Sequence, residues 1–176
     1  MVVATGIEDG AAQGTSPSSP AGVGVPINSE IQCGASAVAL EPYDAKITLL
    51  QTLRGAEAWD RIKASDPGNP PPKDGFDYVL ARVGFELKAR GAPGNKSFEL
   101  GLPFQFTAFT QSGKEYEAPS VKPPKPQLAG QARAGSAMEG WLVFQVDQRD
   151  TTPLMIFDPA SGGAMLRGNV LWFKLH

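Results

Sequence analysis

The sequence predicts an all-β protein, an immunoglobulin-like antiparallel sandwich of about seven strands with one short helix. Three observations lead to this prediction. The 176-residue chain contains 20 Gly and 16 Pro, and both residues interrupt helices. Short segments rich in β-branched and aromatic residues recur between Gly- and Pro-containing turns. No helical pattern between them is long enough for the crossover that a parallel sheet requires.

Residues 1–30 are predicted to form a disordered tail, and residues 31–176 one folded domain. The segment from Gly6 to Pro26 is rich in Gly, Ser, Pro and Ala, and it has too little apolar bulk to offset the entropy lost on ordering. Such a tail can hold a domain away from a surface, although disordered termini are also common without this role. The remaining length suits a single core.

The clearest strand pattern runs from Phe76 to Arg90, where apolar side chains alternate with polar or small ones. The segment from Glu139 to Val146 alternates as well, but both of its faces are partly apolar, which predicts a central strand. Further strands are predicted at residues 45–53, 98–100, 104–109, 115–117, 153–158 and 170–175.

A short helix is predicted at residues 56–64, because Trp59 and Ile62 are three positions apart and therefore share one helix face. Four prolines between residues 67 and 72 end it. A second proline-rich run, from Val121 to Pro126, is predicted to cross an edge of the fold. Its alternative role is that of an extended ligand for an adaptor domain.

The charge balance argues against nucleic acid as a partner, because a net charge of −2 supplies no basic field for a phosphate backbone. No stretch reaches the roughly 18 to 20 apolar residues of a membrane span. The first residues also lack the charged start and apolar run of a signal peptide. A leader or lipid anchor lost from an upstream position remains an alternative.

The chain lacks the residues of the common catalytic and metal sites. Its single histidine is the last residue, His176, where it is poorly placed to serve as the base of a triad or as a metal ligand. Its single cysteine, Cys33, excludes an internal disulfide and is predicted to be a buried small apolar side chain. We therefore expect no enzyme, no cofactor and no metal site. The acidic loop near Asp147, Asp150 and Asp158 lacks the spacing of known calcium loops.

Aromatic residues are the candidate binding residues, since such side chains often anchor interfaces. The candidates are Trp59, Tyr78, Trp141 and Trp172. The alternative for each is packing in the core or over its edge.

Four segments together resemble the DUF4352 family of immunoglobulin-like bacterial extracytoplasmic domains, to which the secreted antigen MPT63 is similar. They are Leu53–Ile62 (LRGAEAWDRI), Gly75–Leu80 (GFDYVL), Ser112–Tyr116 (SGKEY) and Gly140–Phe144 (GWLVF). The resemblance spans roughly residues 31–176, and it implies a secreted or lipid-anchored protein without known catalytic residues. The chain departs from this pattern, because it has no signal peptide and Cys33 lies too far along to carry a lipid.

Two functional hypotheses follow. The first is a non-catalytic extracytoplasmic interaction or structural module, which binds a protein or envelope component through its sheet faces or loops. The second is a sandwich that binds a carbohydrate or another small ligand on exposed Trp and Tyr rings. An enzyme would require two carboxylates with perturbed pKa values in one cleft. The oligomeric state is not predicted.

Overall fold

The structure, a computed structural model, describes residues 12–36, 38–91, 96–162 and 166–176. These residues form ten strands, one α-helix, α1 (Ala56–Ser65), and a 3-10 turn at Pro159–Gly162. The strands are β1 (Pro26–Gly34), β2 (Leu40–Arg54), β3 (Phe76–Ala89), β4 (Ser97–Leu100), β5 (Phe106–Phe109), β6 (Gly130–Arg133), β7 (Ser136–Asp147), β8 (Leu154–Phe157), β9 (Leu166–Gly168) and β10 (Leu171–Lys174).

The strands form an antiparallel sandwich, which confirms the predicted fold class. A five-stranded sheet in the order β7-β3-β2-β1-β9 packs against a three-stranded sheet in the order β10-β8-β5, and β4 pairs with β6 beside them. The described strands number ten rather than about seven. Strands β1, β6 and β9 were not predicted from the sequence. The last two have only four and three residues and owe their conformation to their partner strands rather than to their own composition.

Phenylalanine rings from all three sheets meet in the main core. Phe85 of β3, Phe98 of β4 and Phe157 of β8 are fully buried. The ring centroids of Phe85 and Phe98 lie 5.5 Å apart, and each ring lies 6.2 Å from that of Phe157. Burial of each ring contributes about 1.5 to 3 kcal/mol, so this cluster joins the three sheets into one core.

A smaller cluster lies beneath α1, on the outer face of the five-stranded sheet. It contains Leu53, Ala58, Ile62, Tyr78, Leu80 and Trp141. The predicted helix is confirmed, and its apolar residues Ala58 and Ile62 point into this cluster. The two apolar faces of β7 are therefore explained: Trp141 faces the cluster under the helix, whereas Phe144 and Val146 face the main core.

The prediction that β7 is a central strand is wrong, because β7 lies at the edge of its sheet and β3 is the only one of the described strands with which it pairs. Its outer edge is covered in part by the proline-rich segment, where the Trp141 amide donates to the Pro126 carbonyl at 2.8 Å. The Leu128 amide in turn donates to the Trp141 carbonyl at 3.2 Å. Alternation reports which faces are buried, and it carries no information about which edge is paired.

The proline-rich run crosses the edge of the fold, as predicted. The buried Asn69 side chain accepts from the Lys122 amide at 2.9 Å and donates to the Lys122 carbonyl at 3.0 Å. Pro124 is buried as well. The run is therefore an integral part of the domain.

The folded domain begins earlier than residue 31, which corrects the predicted boundary. Ala21 is fully buried, its amide donates to the Trp172 carbonyl at 2.9 Å, and its carbonyl accepts from the Lys174 amide at 2.8 Å. Strand β1 then starts at Pro26. Backbone pairing with β10 orders this segment, so its polar composition was a poor guide. Residues 1–11 of the predicted tail lie outside the described residues.

The remaining strand predictions, apart from the one at residues 115–117, agree with the structure in position but not in all of their bounds. Strands β2 and β7 start at Leu40 and Ser136, five and three residues before their predicted starts. Residues 104–105 belong to a turn, so that strand starts at Phe106. Residues 115–117 form no strand, and Glu115 makes only an isolated bridge to Phe109. Cys33 is buried, as predicted. No helix in the described ranges is long and apolar enough to span a membrane.

Candidate functional site

Three of the four predicted binding residues lie together, but as part of the cluster under α1. Tyr78 and Trp141 are each only 2% exposed, and the half-buried Trp59 ring lies 6.0 Å from that of Tyr78. The Arg61 guanidinium covers Trp141 at 4.4 Å from the ring centroid. This burial leaves neither the Tyr78 nor the Trp141 ring free to stack on a ligand, which corrects the expectation of an exposed platform.

Trp172 lies apart from the other three, on β10 of the smaller sheet. Its side chain is half-buried. Its amide donates to the Gly14 carbonyl at 2.8 Å, and its carbonyl accepts from Ala21 at 2.9 Å. The four residues therefore do not form one surface.

The acidic loop after β7 is held by hydrogen bonds and ion pairs within the protein. Asp147 accepts from the Arg149 guanidinium at 3.0 Å, and this contact, with the Arg149 amide, lowers the pKa of Asp147 to about 2. Asp150 accepts the Tyr116 hydroxyl at 2.7 Å. The described residues contain no group of His, Cys, Asp and Glu side chains arranged to hold a metal ion.

A cleft of about 540 Å³ opens between the facing edges of the two sheets. We call it the β5–β7 cleft, because β5 supplies one wall and β7 the other. It is lined by residues 103–104, 106–108, 115–119 and 143–145. Its walls are mostly apolar, and the charged side chains in the lining are those of Glu115 and Glu117.

Phe104, at the rim of this cleft, is both exposed and strained. Its side chain is 68% exposed, although it is large and apolar. Its φ is 67°, in the left-handed region, at the third position of a turn in which the Gln105 amide donates to the Leu102 carbonyl at 3.3 Å. Turns with positive φ at this position favour Gly. A non-Gly residue there costs of order 1–3 kcal/mol.

The next residue, Gln105, fastens the turn that presents Phe104. Its side chain is completely buried. Its Oε1 accepts from the amides of Gly101 and Leu102 at 3.1 and 3.3 Å, and its Nε2 donates to the Glu99 carbonyl at 2.7 Å. These three bonds fix the backbone on the N-terminal side of Phe104, so the ring is held out at the rim by the fold itself.

Residues 115–128, which we call the strap, connect the two walls of the cleft. At one end, the Tyr116 amide donates to the Ala108 carbonyl of β5 at 2.8 Å. At the other end, Leu128 is hydrogen-bonded to Trp141 of β7, as described above. Glu117 forms an ion pair with Lys73 between these points. The cleft therefore lies where the strap has left one sheet edge and not yet reached the other.

Both charged side chains in the lining of the cleft are acidic, and Lys73 forms an ion pair with one of them, Glu117. The hydrogen bond that Lys73 donates to Glu117 lowers the pKa of this carboxyl below the ordinary value for a glutamate. The Glu117 carboxylate is therefore ionised at neutral pH. Glu115 is exposed. An apolar floor with an anionic rim can bind an apolar ligand that carries positive charge.

Phe104 and Gln105 were not predicted as candidate site residues, because their sequence pattern is typical of a strand. The preceding Pro103 is the one available signal, since Pro commonly occupies the second position of such turns. Phe104 is exposed and Gln105 is buried because of how the rest of the chain folds around them. The local sequence pattern predicts neither property.

No protein-family model and no curated protein matches this chain, so the DUF4352 resemblance stays a prediction. Among solved structures, the chain is similar to a candidate lipoprotein, YcdA, from Bacillus subtilis, with 15% sequence identity and a TM-score of 0.48. The match covers 74% of this chain and 35% of that chain, so this chain spans about a third of the length of that protein. At this distance the likeness carries no argument about fold or function.

Proposed function

We propose that the protein is a non-catalytic interaction module that binds a protein partner in the β5–β7 cleft, with Phe104 as its main anchor. The observation that carries this proposal is the combination of strain and exposure at Phe104. Neither property stabilises the fold, and strained backbone is concentrated at functional sites. Aromatic side chains next to an apolar depression are typical anchors of protein interfaces.

The polar groups around the cleft favour a protein partner over a carbohydrate. Sugar hydroxyls need hydrogen-bonding groups that are free to pair with them. Here the Gln145 Oε1 accepts from the Lys73 amide at 3.1 Å, and the Tyr116 hydroxyl donates to Asp150. These hydrogen-bonding groups beside the cleft are thus already paired within the protein, whereas the apolar surface of the cleft is open to a ligand.

A peptide library tests this proposal. Random peptides of about 12 residues, displayed on phage, are selected on the folded protein and then synthesised. Binding in the cleft predicts that Phe104→Ala weakens the selected peptides about tenfold. Val23→Ala is the matched control, because Val23 is also an exposed apolar side chain, at 52%, and does not line the cleft. Selected peptides that bind both variants equally well would overturn the proposal.

The carbohydrate alternative has a separate readout. Retention of the protein on immobilised polysaccharide, lost in the Phe104→Ala variant, would show that the same rim binds sugar rings by stacking. The protein-partner proposal predicts no such retention. Retention that survives the substitution would place a sugar site elsewhere and leave the cleft without this role.

We further propose that the protein is extracytoplasmic, which is supported by the resemblance of its sequence to secreted and lipid-anchored domains. Fractionation of the source cells tests this location, combined with mass spectrometry of the native N-terminus. We expect the protein in the envelope or the medium. Recovery in the cytosol with an unmodified Met1 would contradict the proposal.

A further inference from the structure

We infer that the partner binds as an extended polypeptide strand, added to the edge of β7 at the partly buried Val143 and at Gln145, which is 5% exposed and lines the cleft. This inference rests on the proposed function, and it specifies the conformation and chemistry of the partner. Three features of the molecule support strand addition: the direction of backbone groups in β7, the path of the strap and the charges in the cleft.

The backbone groups of Val143 and Gln145 face away from the rest of their sheet. Both backbone groups of Trp141 point to the outer edge, because they are hydrogen-bonded to Pro126 and Leu128. In an antiparallel strand the direction alternates with every residue, so Val143 and Gln145 point the same way as Trp141. The Tyr78 carbonyl agrees with this assignment. Tyr78 lies opposite Gln145, yet its carbonyl accepts from Gly55, on the side of β2, at 3.0 Å.

The protein already adds a strand-like segment to this edge. Gln127 forms a parallel bridge with Trp141, and Gly140 permits the approach, since a Cβ at Gly140 would lie 2.4 Å from the Leu128 nitrogen. The pairing ends before Val143. Residues 143–145 therefore continue the edge that the strap uses, and they line the cleft. Addition of a strand to an open edge is a common mode of peptide recognition.

The charges of the cleft specify the occupant further. The charged side chains in the lining are both glutamates. Glu117 is paired with Lys73, whereas Glu115 takes part in none of the ion pairs between described residues. An extended segment with apolar side chains toward the cleft and a Lys or Arg near Glu115 complements this surface.

Backbone methylation of a selected peptide tests the strand geometry. Each amide of the strongest peptide is N-methylated in turn, which removes one donor and leaves the protein unchanged. Strand addition predicts that methylation weakens binding about tenfold at every second position and less at the positions between them. It also predicts slower hydrogen exchange at the amides of Val143 and Gln145 when the unmethylated peptide is bound.

A pair of protein variants tests whether the Glu115 carboxylate attracts a basic residue of the partner. Glu115→Gln is expected to weaken the peptide several-fold at low salt, and added salt should reduce this difference. Glu99→Gln is the matched control, because Glu99 is an exposed strand residue outside the cleft lining. No loss for Glu115→Gln would overturn the basic character of the partner.

The results separate this inference from the proposed function. Peptides that need Phe104 but show no two-residue period on methylation, and no protection of Val143 and Gln145, would overturn strand addition and keep the cleft as a binding site. Peptides that bind independently of Phe104 would overturn the proposed function. A library that yields no peptide with a Kd below about 1 mM would overturn both.

Discussion

Phe104 places a large apolar side chain in solvent on a backbone with a φ of 67°. The strain belongs to the backbone and the proposed binding to the ring, so two substitutions separate them. Phe104→Gly removes both, whereas Phe104→Ala removes only the ring. We predict that the Gly variant is more stable to urea than the Ala variant by about 1 kcal/mol, and that both bind the selected peptides about tenfold more weakly than the unsubstituted protein. Equal stability of the two variants would show that φ at this position is not costly.

Cys33 is a second residue whose environment makes a measurable prediction. Burial raises the pKa of its thiol to about 11, with a smaller contribution from the Glu41 carboxylate and an opposing one from Lys96. Since only the thiolate reacts readily, we predict that a disulfide reagent at about pH 8 leaves the native protein unmodified. The same reagent should modify the denatured protein fully. Fast modification of the native protein would mean that β1 opens at its end.

At the scale of elements, the turn from Gly101 to Gln105 depends on one buried side chain. In Gln105→Leu, the two backbone donors and one backbone acceptor that Gln105 satisfies lose their partner. We predict a loss of about 2–3 kcal/mol in the free energy of unfolding. Gln131→Leu is the control, because Gln131 is exposed on β6, and a surface change of this kind costs about 0.5 kcal/mol or less. Similar losses for both would contradict the role of Gln105.

The attachment of the strap to β7 depends on a glycine. A Cβ at Gly140 would lie 2.4 Å from the Leu128 nitrogen, whereas a Cβ at Gly84, on the neighbouring β3, would lie 3.4 Å from the Leu50 Cδ1. We therefore predict that Gly140→Ala lowers the Tm markedly, by displacing the strap, and that Gly84→Ala does not. Hydrogen exchange should then be faster at the Trp141 and Leu128 amides of the Gly140→Ala variant. Unchanged exchange there would mean that the strap is not held by this contact.

A strand or helix could be predicted from the sequence where its own residues determine its conformation, and not where its partners do. The alternation from Phe76 to Arg90 predicted the bounds of β3 almost completely. Its signal is local, because consecutive side chains of the strand point to opposite faces of the sheet. Strand β1 was missed, since its first half lies in a segment read as a polar tail and its order comes from β2 and β9. The edge position of β7 was missed because α1 covers its outer face, so that both of its faces are apolar, as they would be in a central strand.

The aromatic residues chosen from the sequence include Tyr78 and Trp141, which turned out to be buried under α1. The cleft itself is formed by segments far apart in the chain, at β5, the strap and β7. No local pattern brings these three together, so the β5–β7 cleft could be found only from the structure.

At the scale of the whole molecule, the three tyrosines give the protein a common response to alkaline pH. Burial is the main cause that raises the pKa of each, to about 12 for Tyr116, where the hydrogen bond to Asp150 adds to it. The folded state thus holds these protons more tightly than the unfolded state, whose tyrosines ionise near pH 10. The stabilisation is complete below about pH 10 and is lost as the pH rises through the folded pKa values.

We therefore predict little tyrosinate absorbance in the native protein at about pH 10, where the unfolded chain is half ionised. The midpoint for unfolding by urea should fall above this pH. In Tyr116→Phe the tyrosine whose pKa is raised to about 12 is absent, while the other two tyrosines remain. A native titration centred near pH 10 would contradict the burial of the tyrosines.

The most direct test of the central claim is a photo-cross-link formed in the source cells from the position of Phe104. A photoreactive phenylalanine analogue is incorporated at position 104, and in a second variant at position 23, which is also exposed and lies outside the cleft lining. A binding cleft predicts one dominant protein adduct from position 104, which position 23 does not give. Adducts that are equally diverse from both positions, or absent at position 104, would show that Phe104 does not anchor a partner.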